Sequence, residues 1–315
     1  MAQNDKFMKS DIAGFAFHMK KLLNNKEMSD IKFLIGPSRK TVYAHKCILA
    51  ARCEVFRAMF VDQAKSPLTD SQEVPFVLSD VTPEIFLTVL EFIYTNCATI
   101  SGKIVVDILG SAIEYGLDDL RKLCVTYMLE NMSASNACEA MQAAVTYGQD
   151  DLRERTLSYI EQNTANVLRS KTFHEMSDDA VCIVLKSDRL LIDELDVLSA
   201  VREWATVNSV VAGKSVRETS RKVIPHVRLP LLSAEELTMV EKDNEKDNLI
   251  PMDMMAFAWR FHALKKGDRN NPLTRRRKGT VLRECHRALE GNHSIDDIGD
   301  NVMPSKSGRK QHGGK

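Results

Sequence analysis

Apolar positions change period within one short stretch of this chain, and that change predicts its first folded element. The apolar run Ile31 to Ile35 is closed by Gly36-Pro37, a pattern of strand followed by turn. Thr41-Val42-Tyr43-Ala44 reads as a second strand, so the pair forms a hairpin. After His45 the spacing becomes helical: Cys47, Ile48 and Ala51, then Val55, Phe56, Met59 and Phe60, which predicts two short helices. A hairpin running straight into two helices is a compact scaffold with no pocket chemistry in it.

The flanks follow the same logic. Asp11 to Asn24 predicts an amphipathic helix, with Ile12, Phe15, Phe17, Met19, Leu22 and Leu23 spread over a broad apolar face. Residues 61 to 73, holding Pro67 and several polar residues, read as a loop. Val74 to Leu78 reads as a third strand, and Pro83 to Tyr94 as a helix with proline in its first turn. From Asn136 to about Lys242 the pattern stays helical, and Leu249 to Leu264 is a last amphipathic helix carrying Met254, Met255, Phe257, Trp259 and Phe261.

One phrase occurs twice. Ala112, Tyr115, Gly116, Asp118, Asp119, Leu120, Arg121, Tyr127 and Asn131 recur, offset by 32, as Ala144, Tyr147, Gly148, Asp150, Asp151, Leu152, Arg153, Tyr159 and Asn163. Glycine ends one helix in the left-handed conformation and aspartate caps the next, so each copy predicts the corner of a helical hairpin. Two copies fall short of a solenoid, which needs about three. They predict one hairpin stacked on another.

Composition narrows the class. A length of 315 residues, 44% hydrophobic and 27% charged, fits about two ordinary globular domains. Lysine plus arginine and aspartate plus glutamate both number 43, so overall charge gives no reason to expect direct nucleic-acid or membrane binding. From Lys265 onward, however, 13 basic residues face 6 acidic ones, and the end of the chain reads as a basic tail, largely disordered from about residue 291. Seven cysteines show no CxxC pair, and no apolar run near the N-terminus reads as a signal peptide. An intracellular location, cytoplasmic or also nuclear, is the expectation. No apolar stretch reaches the roughly 18 residues of a membrane span.

Candidate chemistry is sparse. His45 and Cys47 lack a second ligand pair at zinc-site spacing, and His174, His226 and His262 stand apart from one another. No GxSxG, HExxH or P-loop phrase occurs. Asp118-Asp119 and Asp150-Asp151 sit at helix starts, where negative charge suits the dipole. A non-enzyme without metal or cofactor is the reading.

Several phrases in order carry a family resemblance. Ser29-Asp30-Ile31, Tyr43 to Ala51 and Val55 to Phe60 resemble the core of a BTB/POZ domain. Val81 to Phe86 with Leu90 to Thr95 is similar to its third-helix phrase, and Ile113 to Leu120 to its closing phrase. Val197 to Trp204 and Val227 to Leu232, with Glu235-Glu236-Leu237, resemble the BACK domain that often follows. The resemblance spans roughly residues 10 to 285. It implies an α+β fold: a BTB domain over 1–131, an all-helical BACK domain over 132–265 and a basic tail over 266–315.

The same resemblance assigns roles. It implies a homodimer whose interface includes Ile12, Phe15, Phe17, Met19 and Leu22, with Asp30 and Lys46 near a central groove or forming a fold-fixing ion pair. It implies a surface for a cullin-type partner at Val55, Phe56, Met59, Ala64, Lys65 and Ser66, to which the helical pair around Ser135 to Asn163 would add. Cullin-3-binding members usually carry an apolar residue, any residue, then Glu at the last three of these positions, and Ala64-Lys65-Ser66 lacks the carboxylate. Arg275, Arg276, Arg277 and Lys278 read as a solvated basic tail, with nuclear import, an acidic partner, or a basophilic-kinase site at Arg277-Lys278-Gly279-Thr280 as the specific readings. The function implied is a homodimeric interaction scaffold, a substrate adaptor for a cullin-3 RING ubiquitin ligase with an unidentified client. The alternative is a non-ligase BTB scaffold or dimerisation partner in transcriptional or cytoskeletal assembly.

Overall fold

A computed structural model of the chain describes residues 11–64, 75–264, 271–284 and 286. Its contacts divide the chain into two compact units, Met1–Ala180 and Val181–Lys315.

The first unit opens with α1 (Ile12–Lys20), whose N-terminus is capped by the Asp11 side chain, accepting from the Ala13 and Gly14 amides at 3.0 Å. The hairpin follows as expected: β1 (Ile31–Ile35) pairs antiparallel with β2 (Lys40–Ala44), Phe33 opposite Val42. Ile31, Phe33 and Ile35 point into the core while Lys32 points out, the period-2 alternation of a sheet with one buried face. Next come α2 (Lys46–Arg52) and α3 (Glu54–Ala64), then β3 (Phe76–Leu78), which joins the other edge of β1 in parallel.

The central piece is α4 (Pro83–Thr95). Thr82 caps it, Pro83 occupies its first turn, and Asn96 ends it with a left-handed φ of 59°. Its burial of Ile85, Phe86, Val89, Leu90 and Ile93 makes it the spine on which sheet and helices pack. Phe33, Phe56 and Phe86 form an aromatic cluster there, with ring centroids 5.1 to 6.4 Å apart.

The repeated phrase then builds two helical hairpins. These are α5 (Val105–Glu114) with α6 (Asp118–Glu130), and α7 (Ala137–Thr146) with α8 (Asp150–Gln162). Gly116 and Gly148 turn the corners at φ of 65° and 62°, the left-handed region that costs glycine nothing. After each corner the Leu117 and Gln149 amides close back on the Ala112 and Ala144 carbonyls at 2.7 and 2.9 Å. Asn131 and Asn163 end the second helices alike, each donating Nδ2 to the carbonyl of Tyr127 or Tyr159. One detail differs from expectation. The residues at the cap positions are Leu117 and Gln149, without side-chain caps, and the paired aspartates lie in the first turn, where Asp118 and Asp150 bond Arg121 and Arg153.

The two corners also touch. Arg121 Nη1 donates to Gln149 Oε1 at 2.8 Å, so the second hairpin packs on the first and the N-terminal unit runs on past residue 131. Because nothing lies within 4 Å of a Cβ built on either corner glycine, the cost of replacing it is purely that of the backbone. Gly116→Ala and Gly148→Ala should each destabilise this unit by about 1–2 kcal/mol in urea unfolding, and asparagine should cost less. Unchanged midpoints in both alanine variants would mean the corners relax to negative φ.

The short helix α9 (Thr164–Leu168) and a 3-10 turn at Lys171–Glu175 lead to α10 (Asp178–Lys186), within which the division between units falls. The second unit is built on α11 (Glu194–Ala212), which buries Val197, Val201, Trp204 and Ala205 and stops at left-handed Gly213. Next come α12 (Val216–Ser220), 3-10 turns at Ile224–His226 and Leu229–Leu231, α13 (Ala234–Asp247) and α14 (Met252–Leu264). Capping boxes at Ser215/Glu218 and Ser233/Glu236 start α12 and α13. A last 3-10 turn, Pro272–Thr274, opens a strap that runs to His286.

Candidate partner-binding site

The first candidate surface is the outer face of α1. Ile12, Phe15 and Phe17 are 65, 61 and 63% exposed, while Met19 and Leu22 are half-buried. The helix is held to its own unit by Leu22, Leu23 and the ion pair of Lys20 with Glu91 at 2.5 Å. Glu91 is buried and also accepts from Thr99. Half of the predicted apolar face therefore packs and half stands in solvent, an unusual outlay of large side chains.

Asp30 and Lys46 do meet, though through the backbone. The Lys46 amide donates to Asp30 Oδ1 at 2.7 Å. His45, at the cap position of α2, makes no side-chain cap bond, so Asp30 supplies from a distance the carboxylate that the helix start favours. The His45 amide and Nδ1 are both 2.9 Å from the Tyr94 hydroxyl. Burial pushes the Tyr94 phenol up to about 12, so that it stays protonated. His45 is thus a core residue, tied to Tyr94.

The predicted cullin-type surface divides. Val55 and Met59 are half-buried on α3, beside exposed Arg57, Ala58 and Val61. Phe56 corrects the expectation. It is fully buried, stacked on Tyr115 at 5.0 Å and edge-on to Phe33 at 5.8 Å, and offers nothing to a partner. Helical spacing marks a residue as apolar without saying which of two apolar faces it joins. Ala64 ends α3, and Lys65 and Ser66 lie outside the described residues.

A groove lies between the repeated hairpins and the turn after them, in part along the helical pair that the family resemblance marks for the cullin-type surface. It has a volume of about 330 Å³ and is lined by Val106, Glu139, Tyr147, Thr172, Glu175 and Met176, among others. Burial, with the nearby charges of Glu175 and Asp107, pushes the Glu139 carboxyl above its usual range, the mark of a site short of positive charge. The repeat brings Tyr147 beside Gly110 of α5 and so shapes one wall of it.

The basic run departs most from expectation. Residues 271–284 and His286 pack within the second unit, and Arg277 is buried there. Arg277 Nε donates to Glu194 at 2.9 Å, both side chains fully excluded from solvent. Its Nη1 reaches the carbonyls of Leu185 and Ser187, and its Nη2 that of His226. Arg275 meets Asp188 at 2.8 Å, and Asp188 also holds the buried Arg228. Farther along, Arg283 bridges both oxygens of Asp193 and of Glu236.

Burial alone would raise the Asp188, Asp193 and Glu236 carboxyls. The arginines outweigh it and hold all three below their ordinary range, and Arg283 is raised in return. Arg276 and Lys278 remain exposed. Thr280 is buried, its hydroxyl accepting from the Arg277 amide at 2.9 Å, so the kinase phrase is closed while the strap is docked. The part of the tail beyond residue 286 lies outside the described residues.

Among the described residues no cluster of histidine, cysteine, aspartate or glutamate has the arrangement of a metal site. No helix among them is long and apolar enough to cross a membrane.

Comparison with known proteins agrees with this architecture. Residues 19–132 match the BTB/POZ domain and residues 137–241 match BACK, "BTB And C-terminal Kelch". The chain belongs to the BTB–BACK family, whose members are typically protein-interaction scaffolds and adaptors. It is 42% identical over 282 residues to BTB/POZ domain-containing protein 19 of Bos taurus, covering 89% of this chain and 95% of that protein. The Homo sapiens protein of the same name is also 42% identical, over 88% of this chain and 94% of its own. BTB/POZ domain-containing protein 9 of Drosophila melanogaster is 30% identical over 72% of this chain, a match to 30% of its length.

Proposed function

We propose that this protein is a non-enzymatic homodimeric interaction scaffold, with the exposed face of α1 as its self-association surface. BTB domains generally mediate dimerisation and bind other proteins. The observation that carries the reading here is the exposure of Ile12, Phe15 and Phe17 on a helix that is anchored to its own unit by Lys20 and, just beyond its end, Leu22. A second copy would remove these side chains from water. Light scattering at micromolar concentration should give twice the chain mass, and Ile12→Asp with Phe15→Asp should give a folded monomer. Monomeric wild type at that concentration would refute the dimer.

The partner we favour is cullin-3, which makes the scaffold a ligase adaptor. The half-buried Val55 and Met59 on α3 and the acidic groove beside Tyr147 would offer the contacts. One observation favours the competing reading, a non-ligase scaffold or dimerisation partner. Ala64-Lys65-Ser66 offers no carboxylate where cullin-3-binding relatives have one.

A further inference from the structure

The strap from Asn271 to His286 lies on the second unit as a bound peptide lies on its receptor. Its backbone pairs with the segment between α10 and α11: the Lys278 amide donates to the Asp188 carbonyl and the Gly279 amide to the Leu190 carbonyl, both at 2.9 Å. Its arginines fill built sites. Arg277 enters a cage of three carbonyls and the Glu194 carboxylate, and Arg283 is gripped by two carboxylates at once. Part of that cage is the end of α10, where the negative end of the helix dipole favours a cation.

We propose that the cleft formed by the end of α10 and the starts of α11 and α13 is a receptor for extended, arginine-bearing peptides. The strap is its resident ligand in cis, and the partner class is a protein presenting a basic segment of the same form. The contacts give the ligand pattern: two arginines two residues apart, a glycine two residues after the second, and a third arginine four residues after the glycine. Glycine is required because a Cβ at Gly279 would stand 2.0 Å from the Ile192 nitrogen and 2.4 Å from the Leu191 carbonyl carbon. The three arginines are placed by Asp188, Glu194 and the Asp193–Glu236 pair.

What the strap buries is polar: Arg277, Thr280 and His286 are buried, while Val281 and Leu282, its large aliphatic residues after the glycine, are 57 and 62% exposed. Charge-assisted hydrogen bonds hold it, and a competing peptide can replace those bonds one for one. Tethering raises the effective concentration of the resident ligand to the order of millimolar. A partner in trans therefore binds when its affinity exceeds that advantage or when the strap has been displaced.

The test keeps the full chain. A protease site placed within residues 265–270 allows the connection before the strap to be cut after folding, with every docking contact intact. A fluorescent peptide of residues 271–286 should then bind the cut protein saturably, release the resident fragment, and bind the uncut protein about 100-fold more weakly. Arg277→Ala or Gly279→Ala, made in the peptide alone so that the receptor is untouched, should abolish binding. Three results would overturn the proposal. These are a cut protein that holds its fragment without exchange, one that unfolds as the fragment leaves, and one that binds the substituted peptides equally well. The first two make the strap an integral part of the fold, and the third reduces binding to unspecific charge attraction.

Discussion

Glu194→Gln should lower the stability of the second unit by about 3–5 kcal/mol, the usual cost of breaking a fully buried ion pair from one side. The substitution keeps the shape of the side chain and removes its charge. Arg277 then remains among the Leu185, Ser187 and His226 carbonyls with no counter-charge. A second bond suffers as well, because Glu194 Oε1 accepts from the Arg228 amide at 2.5 Å and a carboxamide nitrogen in its place would oppose another donor. Arg277→Met should also destabilise, by freeing Glu194 and three carbonyls together. Since both changes break the same contact, the double variant should cost clearly less than the sum of the two. Both tryptophans of the chain, Trp204 and Trp259, lie in this unit, so tryptophan fluorescence in urea reports on it selectively. A loss below about 1 kcal/mol would show that water reaches the pair and relieves the unpaired charge.

That buried pair was invisible in the sequence, and the reason is physical. Arg275-Arg276-Arg277-Lys278 is a local run of charge, and local charge runs are usually solvated. What buries Arg277 is a partner 83 residues away, in a helix start that reads only as an acidic first turn. Gly279 was the one local hint, since a glycine after a basic run fits a close backbone approach as readily as a flexible tail. By contrast, elements fixed by near neighbours were legible. β1 begins and ends at Ile31 and Ile35 as its apolar run requires, and Gly116 and Gly148 turn the corners that the repeat announced.

Phe56 stands between these cases. Its helical period was right and its direction was not, because α3 carries apolar residues on the side facing Tyr115 and on the side facing outward. A sequence period fixes angles around one helix, while packing against a second element decides which angle is inside. The exposed apolar face of α1 was readable for the opposite reason. More large apolar side chains occur between Ile12 and Leu23 than one anchored face can use, so an excess shows before any partner is known.

The cullin-3 N-terminal domain should bind this chain more weakly than it binds relatives with the apolar-x-Glu phrase after α3. Here those positions hold Ala64-Lys65-Ser66, and losing one charge-assisted hydrogen bond costs about 1.5–3 kcal/mol, or roughly 10- to 150-fold in affinity. Restoring the phrase with Ala64→Met and Ser66→Glu should recover most of that factor in isothermal titration. What binding remains must come from Val55, Met59 and the exposed part of α3 together with the second hairpin and its groove beside Tyr147, because Phe56 is spent in the core. Met59→Asp should therefore weaken it further, while Phe56→Ala would act by unfolding the first unit and cannot serve as a control. No heat from wild type or from the double variant would leave the non-ligase scaffold as the better account. Wild-type binding as tight as that of relatives with the full phrase would mean that the groove beside Tyr147, with its charge-starved Glu139, supplies what the loop lacks.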